Sequence, residues 1–422
     1  MFFWPLKKEI YPKPHKGFTL IELLITVAII AVLMTVIVIA INPVEYLRKA
    51  RDIKRISDFT NLQMALQLVA SDKTISMGIC DGTKIYASVP SETPLSNDNL
   101  PSGVSWVQVS QTNLMKTNGT GWIPIDFSGF ASKGILLPAV PIDPKNSVSD
   151  YLFYTYTCNS NRQFILTAWF ESQAFGPKGQ DPKSKSDGGP DPYLYEVGSN
   201  LFISPLRPVG NWGFDEGSGN IVYDLSGNGN NGTLYNGPTW TTGKIGSALS
   251  FDGSNDYVVT NNFDLSNTNK ITVSMWLKFS GSTAQIPLEH STNFNSNNAF
   301  MVDHSEYGGA GSLQFGDHNS SGYNIAYSTT GYNNNQWHHF VAVSDRGLDG
   351  LNQITLYVDG NQNTIHHATY RVDLNGNYGN YPLYFGSRGG SSVFFNGSID
   401  DVRIYNRVLS TAEINRHYQL VK

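Results

Sequence analysis

Residues 16–41 read K-G-F-T-L-I-E-L-L-I-T-V-A-I-I-A-V-L-M-T-V-I-V-I-A-I, and the rest of the chain is organised around this run. The 24 residues 18–41 are enough to cross a ~30 Å hydrocarbon core as a tilted helix. After Glu22, the 19 residues 23–41 contain no charge, glycine or proline. Glu22 is the exception. A charged side chain inside an apolar span costs ~2.5–3.5 kcal/mol on insertion scales, and such residues mark a partner or a function. Near the start of a helix, its charge also meets the positive end of the macrodipole.

Upstream, Lys7, Lys8, Lys13 and Lys16 make a basic leader that suits the cytoplasmic side, and Pro5, Pro12 and Pro14 keep it from being helical. Arg48, Lys49, Arg51, Lys54 and Arg55 place comparable charge beyond the span, so the charge rule alone does not orient it. The motif does. Lys16-Gly17-Phe18-Thr19-Leu20-Ile21-Glu22 resembles the processing site of type IV prepilins and of type II secretion pseudopilins. The resemblance implies a prepilin peptidase that cuts after Gly17 and an N-methylated Phe18 as the new first residue. It also implies Glu22 as the glutamate that faces a neighbouring subunit's N-terminal ammonium, so that two membrane charges neutralise each other. A plain signal anchor is the alternative. A cleaved secretory signal would need an apolar region of about 7–15 residues ending at a small-residue site, and neither is present.

From this stretch the organisation follows: a leader at 1–17, a membrane and spine helix at 18–72, a pseudopilin-like globular domain at 73–202 and a further domain at 203–422. Pro43 is expected to kink the helix as it leaves the bilayer. Beyond it, Val44, Leu47, Ile53, Ile56, Phe59, Leu62, Leu66 and Val69 recur in steps of about three, a stripe that drifts around the helix. Strands are expected at 135–137, 151–156 and 164–169. The loop L-L-P-A-V-P-I-D-P-K-N at 136–146 resembles the Pro-x-Asp-Pro loop of the major pseudopilin. Cys80 and Cys158 are the two cysteines. Outside the cytoplasm they are expected to pair, with two buried thiols as the alternative. Some pseudopilins bind calcium in a loop near 176–192, where Asp181, Asp187 and Asp191 offer oxygen ligands against three opposing lysines.

Near residue 203 the texture changes to short strands separated by Asn, Gly and Ser turns, the pattern of an antiparallel sandwich. Four stretches carry a resemblance to laminin-G-like, concanavalin-A-like jelly rolls: W-G-F-D-E-G-S-G from Trp212, D-L-S-G-N-G-N-N-G-T-L from Asp224, A-L-S-F-D-G-S-N-D-Y-V-V from Ala248 and F-N-G-S-I-D-D-V-R-I-Y-N-R-V-L-S from Phe395. The fold class is therefore α+β followed by all-β: a long helix with a small pilin-type sheet, then a β-sandwich. Within it Ile271, Val273, Met275 and Leu277 share one strand face, and Ser410 with Glu413 forms a capping box that opens a closing helix. In the resembling domains a structural calcium often ties the first strand to the last. Here that implies oxygen at Glu216 and the Asp400 carboxylate, with Asp224 and Asn228 as a second set. The alternative is that these residues cap turns.

Glucanases of this fold need two carboxylates closely spaced on one strand, and no E-x-D-x-x-E or shortened variant occurs; Glu289 and Glu306 stand alone. His338-His339 and His366-His367 look metal-like, but strand neighbours point to opposite faces. Asp303-His304 and His318 have no assigned role. Tyr307, Tyr323, Tyr327, Tyr332, Tyr378 and Tyr381 stand in polar loops as stacking surfaces for sugar rings. The net charge of −5, with 11 Lys and Arg against 17 Asp and Glu in residues 203–422, excludes an electrostatic footprint for nucleic acid. The expected protein is not an enzyme. It is a single-pass inner-membrane filament subunit whose periplasmic or extracellular jelly roll binds a glycan or protein ligand. An anchored glycan hydrolase and a cargo-recognising secretion pseudopilin are the alternatives.

Overall fold

The computed structural model describes residues 17, 19–128, 137–292, 298–305, 308–363, 365–367 and 372–422. The leader before Gly17 and Phe18 itself lie outside them, as do Glu306 and Tyr307. The chain divides into two units, residues 1–47 and 48–422.

In the first unit, α1 (Leu20–Ile41) is 22 residues long, and every described side chain from Leu20 to Thr35 is exposed. Among the described residues no helix is long and apolar enough to cross a membrane. Thr19 opens α1: its Oγ1 accepts the Glu22 backbone N–H at 3.2 Å, while Glu22 Oε2 accepts the Thr19 N–H at 2.9 Å. T-L-I-E is thus a capping box as well as part of a processing motif. At Asn42 the backbone turns left-handed (φ 46°), and α2 (Pro43–Ser71) starts afresh with proline in its first position. The helix breaks there instead of kinking.

The second unit begins along α2. Its buried residues are Asp52, Arg55, Asp58, Phe59, Leu62, Ala65, Leu66 and Val69, a clean i, i+3, i+4 face. The expected drift is corrected by counting charges: Asp52, Arg55 and Asp58 continue the stripe, while Val44, Leu47 and Ile53 are exposed. This face packs on five strands, β1 (Lys84–Ala87), β2 (Ser105–Val107), β3 (Thr155–Cys158), β4 (Phe164–Trp169) and β5 (Leu194–Gly198), in the order β2-β1-β3-β4-β5. Residues 151–154 precede β3 without joining it, and Leu137 is not in a strand. The one-turn α3 (Lys183–Ser186) lies between β4 and β5.

The sandwich follows as β6 (Gly210–Trp212), β7 (Ile221–Val222), β8 (Gly232–Tyr235), β9 (Thr239–Thr242), β10 (Ser247–Asp252), β11 (Tyr257–Asp264) and β12 (Lys270–Phe279). Next come β13 (Gln285–His290), β14 (Ala299–Ser305), β15 (Ser312–Asn319), β16 (Gly322–Gly331) and β17 (His338–Asp345). It ends with β18 (Ile354–Val358), β19 (Asn361–Gln362), β20 (Ile365–His367), β21 (Asn380–Phe385), β22 (Asn396–Tyr405) and α4 (Thr411–Gln419). The first sheet runs β19-β18-β17-β12-β22-β10-β9, with β6 also on β22. The second runs β20-β16-β15-β14-β13-β21-β11-β8-β7. Ile271, Val273, Met275 and Leu277 of β12 enter the core between them, with Leu288, Val302, Phe315 and Phe385 from the second sheet.

The pilin-type head and the sandwich, expected as domains meeting at 202/203, share one compact unit. The outer face of the first sheet is where they join. Trp276, the alternate residue of β12, is buried with Val89, Phe153, Trp169 and Tyr193 of the head and with Leu420 and Val421 after α4. Ile414 of α4 covers Val341, Tyr357 and Tyr405. Polar ties complete the seam: Tyr193 donates its hydroxyl to Asp401 at 2.7 Å, Arg416 donates to the Asp150 carbonyl at 2.8 Å, and Arg403 lies 3.8 Å over the Tyr193 ring.

Candidate functional site: the open face of the second sheet

With the first sheet covered, the outer face of the second is the one left for a ligand. Strand alternation decides what it shows. Leu288, Val302, Phe315, Ala326 and Phe385 point inward, so Glu289, Asp303, Gln314, Tyr327 and Tyr384 point outward. Register then sets them side by side. Glu289 pairs with Tyr384 on one flank and with Met301 on the other, while Asp303 pairs with Gln314, and Gln314 with Tyr327. Two carboxylates therefore stand on neighbouring strands of one face, diagonal to each other. A search for acids along a single strand misses this arrangement. Pairing Glu289 with Asp303 needed the β13–β14 register.

Both acids are roofed. Residues 386–393 fold over Glu289, with Val393 packed on Ile286 and Met301. Gly389 and Gly390 take positive φ (57° and 70°), and a Cβ on Gly390 would come 3.2 Å from the Tyr257 ring and 3.3 Å from that of Tyr384. The bare glycine backbone is what fits between those rings. Glu289 Oε1 accepts the Ser291 hydroxyl at 2.5 Å. Burial pushes the Glu289 carboxyl up, against the Ser291 hydrogen bond and the Arg388 charge. Burial likewise pushes Asp303 up to about 7, opposed by the Gln285 backbone N–H and Arg388.

Beside the acids runs a tyrosine ladder. Tyr235 and Tyr257 stack with centroids 5.0 Å apart and planes 7° from parallel, and Tyr384 follows 6.3 Å from Tyr257. Tyr235 is 44 % exposed, and the other two are half-buried, so ring faces and hydroxyls are offered together. On the far flank Tyr327 stacks on exposed His366 at 5.9 Å, and His318 on Tyr323 at 5.3 Å. Of the tyrosines expected as stacking surfaces, Tyr323 and Tyr327 are on this face. Tyr378 is instead a core residue whose hydroxyl donates to Asp317 at 2.8 Å, because the strand edge it precedes turns it inward toward Arg346. Tyr332 packs against the core edge and Tyr381 beside His290. Tyr235, Tyr257 and Tyr384 were not singled out in the sequence, where nothing distinguishes them from core tyrosines.

The histidine pairs split as alternation requires. His339 is buried on Ser274 at 3.0 Å, while His338 meets Asp359 at 2.8 Å. His366 faces solvent, and His304 turns inward onto Phe279 with Nε2 3.0 Å from Gln285 Oε1. Cys80 and Cys158 are joined in a disulfide, their Cα atoms 4.6 Å apart.

The expected calcium ligands do not converge. Asp224 Oδ1 accepts backbone N–H groups of Asn211 and Ser226, and Oδ2 accepts two donors of Asn230. Asn228 bonds Arg207 and the Val209 carbonyl. Glu216 Oε1 accepts the Tyr223 N–H, and Asp400 Oδ2 accepts those of Lys244 and Ile245, with burial pushing Asp400 well above the usual carboxylate range. Asp181 pairs with Lys183 at 3.1 Å, Asp187 caps Gly189 and Glu196, and Asp191 accepts the Tyr193 N–H and faces Arg403 at 3.6 Å. These contacts are turn capping, while Glu216 Oε2 and Asp400 Oδ1 are buried without a hydrogen-bond partner. Among the described residues no group of three or more His, Cys, Asp or Glu is placed to hold a metal ion.

Residues 252–415 match the family described as the concanavalin A-like lectin/glucanases superfamily, and residues 12–38 match the prokaryotic N-terminal methylation motif. Among solved structures, domain 4 of AbnA, a GH43 extracellular arabinanase from Geobacillus stearothermophilus in complex with arabinotriose, is 19 % identical over 51 % of this chain and 99 % of its own, with a TM-score of 0.41. The binding domain of Paraclostridial Mosquitocidal Protein 1 is 18 % identical over 50 % of this chain and 51 % of its own, TM-score 0.37. The receptor binding domain of a botulinum neurotoxin C/D mosaic serotype is 16 % identical over 50 % and 51 %, TM-score 0.39. No curated protein matches the chain.

Proposed function

We propose that this chain is a prepilin-type filament subunit that displays a lectin-like sandwich, and that the open face of the second sheet binds glycan. One observation carries the binding half: the head and α4 bury one sheet face, while the opposite face keeps an accessible tyrosine ladder. Flat rings stack on the apolar faces of sugars, and the tyrosine hydroxyls at the ring edges exchange hydrogen bonds with theirs. The filament half is supported by the methylation-motif match and by the exposed apolar side chains of α1, which need lipid or neighbouring helices as partners. Prepilin peptidase would cut between Gly17 and Phe18, and Glu22 would meet a neighbour's N-terminal ammonium in the assembled filament. The working location is the inner membrane first and a surface filament afterwards. So large a head favours a minor or tip subunit.

The test is a glycan array probed with the full chain in detergent. Replacing both Tyr257 and Tyr384 by alanine should weaken binding roughly tenfold or more, since each stacked ring contributes ~0.5–1.5 kcal/mol. Binding unchanged in the double variant would place the ligand elsewhere. Release of sugar from a bound glycan would instead assign the hydrolase alternative, and capture of a secreted protein would assign cargo recognition.

A further inference from the structure

Two buried oxygens on the second sheet lack a donor, and they belong to residues directly opposite each other. Asp303 on β14 and Gln314 on β15 are register partners, 7 % and 1 % exposed. Gln314 Nε2 lies 3.5 Å from Asp303 Oδ2. The other oxygen of each group, Asp303 Oδ1 and Gln314 Oε1, is buried and finds no hydrogen-bond partner. A buried acceptor without a donor costs about 1–3 kcal/mol, and here there are two. Neither group as ordinarily drawn can help the other, since a carboxylate has no hydrogen to give and the amide oxygen has none.

A single proton resolves both. With a hydrogen on Oδ1, the carboxyl donates to Gln314 Oε1 while the amide N–H points back at Oδ2, and the two side chains close into a ring of reciprocal hydrogen bonds. We propose that Asp303 is held as the neutral acid in the folded chain and shares its proton with Gln314, making this sheet face a proton-binding site. The surroundings agree. Gln285 contributes a backbone N–H, and among the described residues Arg388 from the 386–393 segment is the charge that acts on Asp303, as it does on Glu289 of β13. His304, the next residue of β14, turns to the other face. This pairing is independent of what the face binds.

Burial outweighs the opposing groups and places the proton's release at about pH 7. The folded chain therefore holds a proton that the unfolded chain gives up near pH 4. This group's contribution to stability is present below pH ~4 and is lost as pH rises towards 7. Infrared difference spectroscopy of the full chain in detergent tests the assignment. The wild type should show a protonated-carboxyl band that disappears as pH rises through about 7. One component of that band should be lost in Asp303→Asn and retained in Glu289→Gln, the remainder belonging to other buried acids such as Asp187 and Asp400. In Gln314→Leu, where the acid loses its partner, the midpoint should shift by about one unit, tenfold in affinity for the proton. A wild-type carboxyl already ionised at about pH 6 would overturn the proposal. So would a band that follows Glu289 instead of Asp303, or a midpoint that ignores Gln314. If Asp303→Asn fails to fold, Gln314→Leu still decides.

Discussion

Arg55 is fully buried in the middle of α2, a position that ordinarily excludes a charge. It persists because its guanidinium is saturated: Nη1 donates to Asp52 at 2.6 Å, Nε and Nη2 reach both oxygens of Asp143, and Nη2 also meets Glu171 at 2.8 Å. Asp143 belongs to the Pro-x-Asp-Pro loop, so this one side chain binds that loop to the spine helix. Removing it leaves Asp52 and Asp143 without their counter-charge, while Glu171 keeps Arg51. Arg55→Ala should destabilise the chain by about 3–5 kcal/mol, the cost of leaving buried charge unpaired, read by chemical denaturation of the full chain in detergent. A loss under about 1 kcal/mol would mean that water reaches the cluster. Charges at 52, 55 and 58 were visible in the sequence, but reading only apolar residues made the helix face drift when it was straight. Glu22 carried two signals at once, and the capping geometry with Thr19 was hidden behind the processing motif.

Helices end where side chains supply the missing hydrogen bonds. At the close of α2, Arg162 reaches over from the β3–β4 turn and donates to the carbonyls of Val69, Ala70 and Asp72. No local sequence pattern points to a cap 90 residues away. The cap of α4 is local and was legible: Ser410 Oγ accepts the Glu413 N–H at 3.2 Å, and Glu413 Oε2 accepts the Ser410 N–H at 2.9 Å. Glu413 also takes Arg407 at 2.8 Å, so the box is buried and holds α4 in the seam between head and sandwich. Ser410→Ala should cost about 1 kcal/mol, seen as a lowered denaturation midpoint with unchanged cooperativity. A separate early unfolding step in the variant would mean that head and sandwich unfold independently. The strands divide the same way. The sandwich strands, with long alternating patterns, were readable, whereas β1 and β2, four and three residues long, had too few positions to show a period.

At the scale of the whole molecule, the head and the jelly roll behave as one body, because Trp276, Trp169, Tyr193 and the chain end after α4 fill a single apolar seam. The two modules were each legible from their motifs. Their fusion was not, since it depends on which sheet face the head covers. The filament reading rests on the N-terminus, where residues 12–38 match the methylation motif and the proposed cut falls between Gly17 and Phe18. Intact mass spectrometry of the protein extracted from membranes tests it most directly. The expected mass lacks residues 1–17 and is heavier by one methyl group on Phe18. An uncut chain that begins at Met1 would contradict prepilin processing and leave an anchored jelly roll with no filament to join.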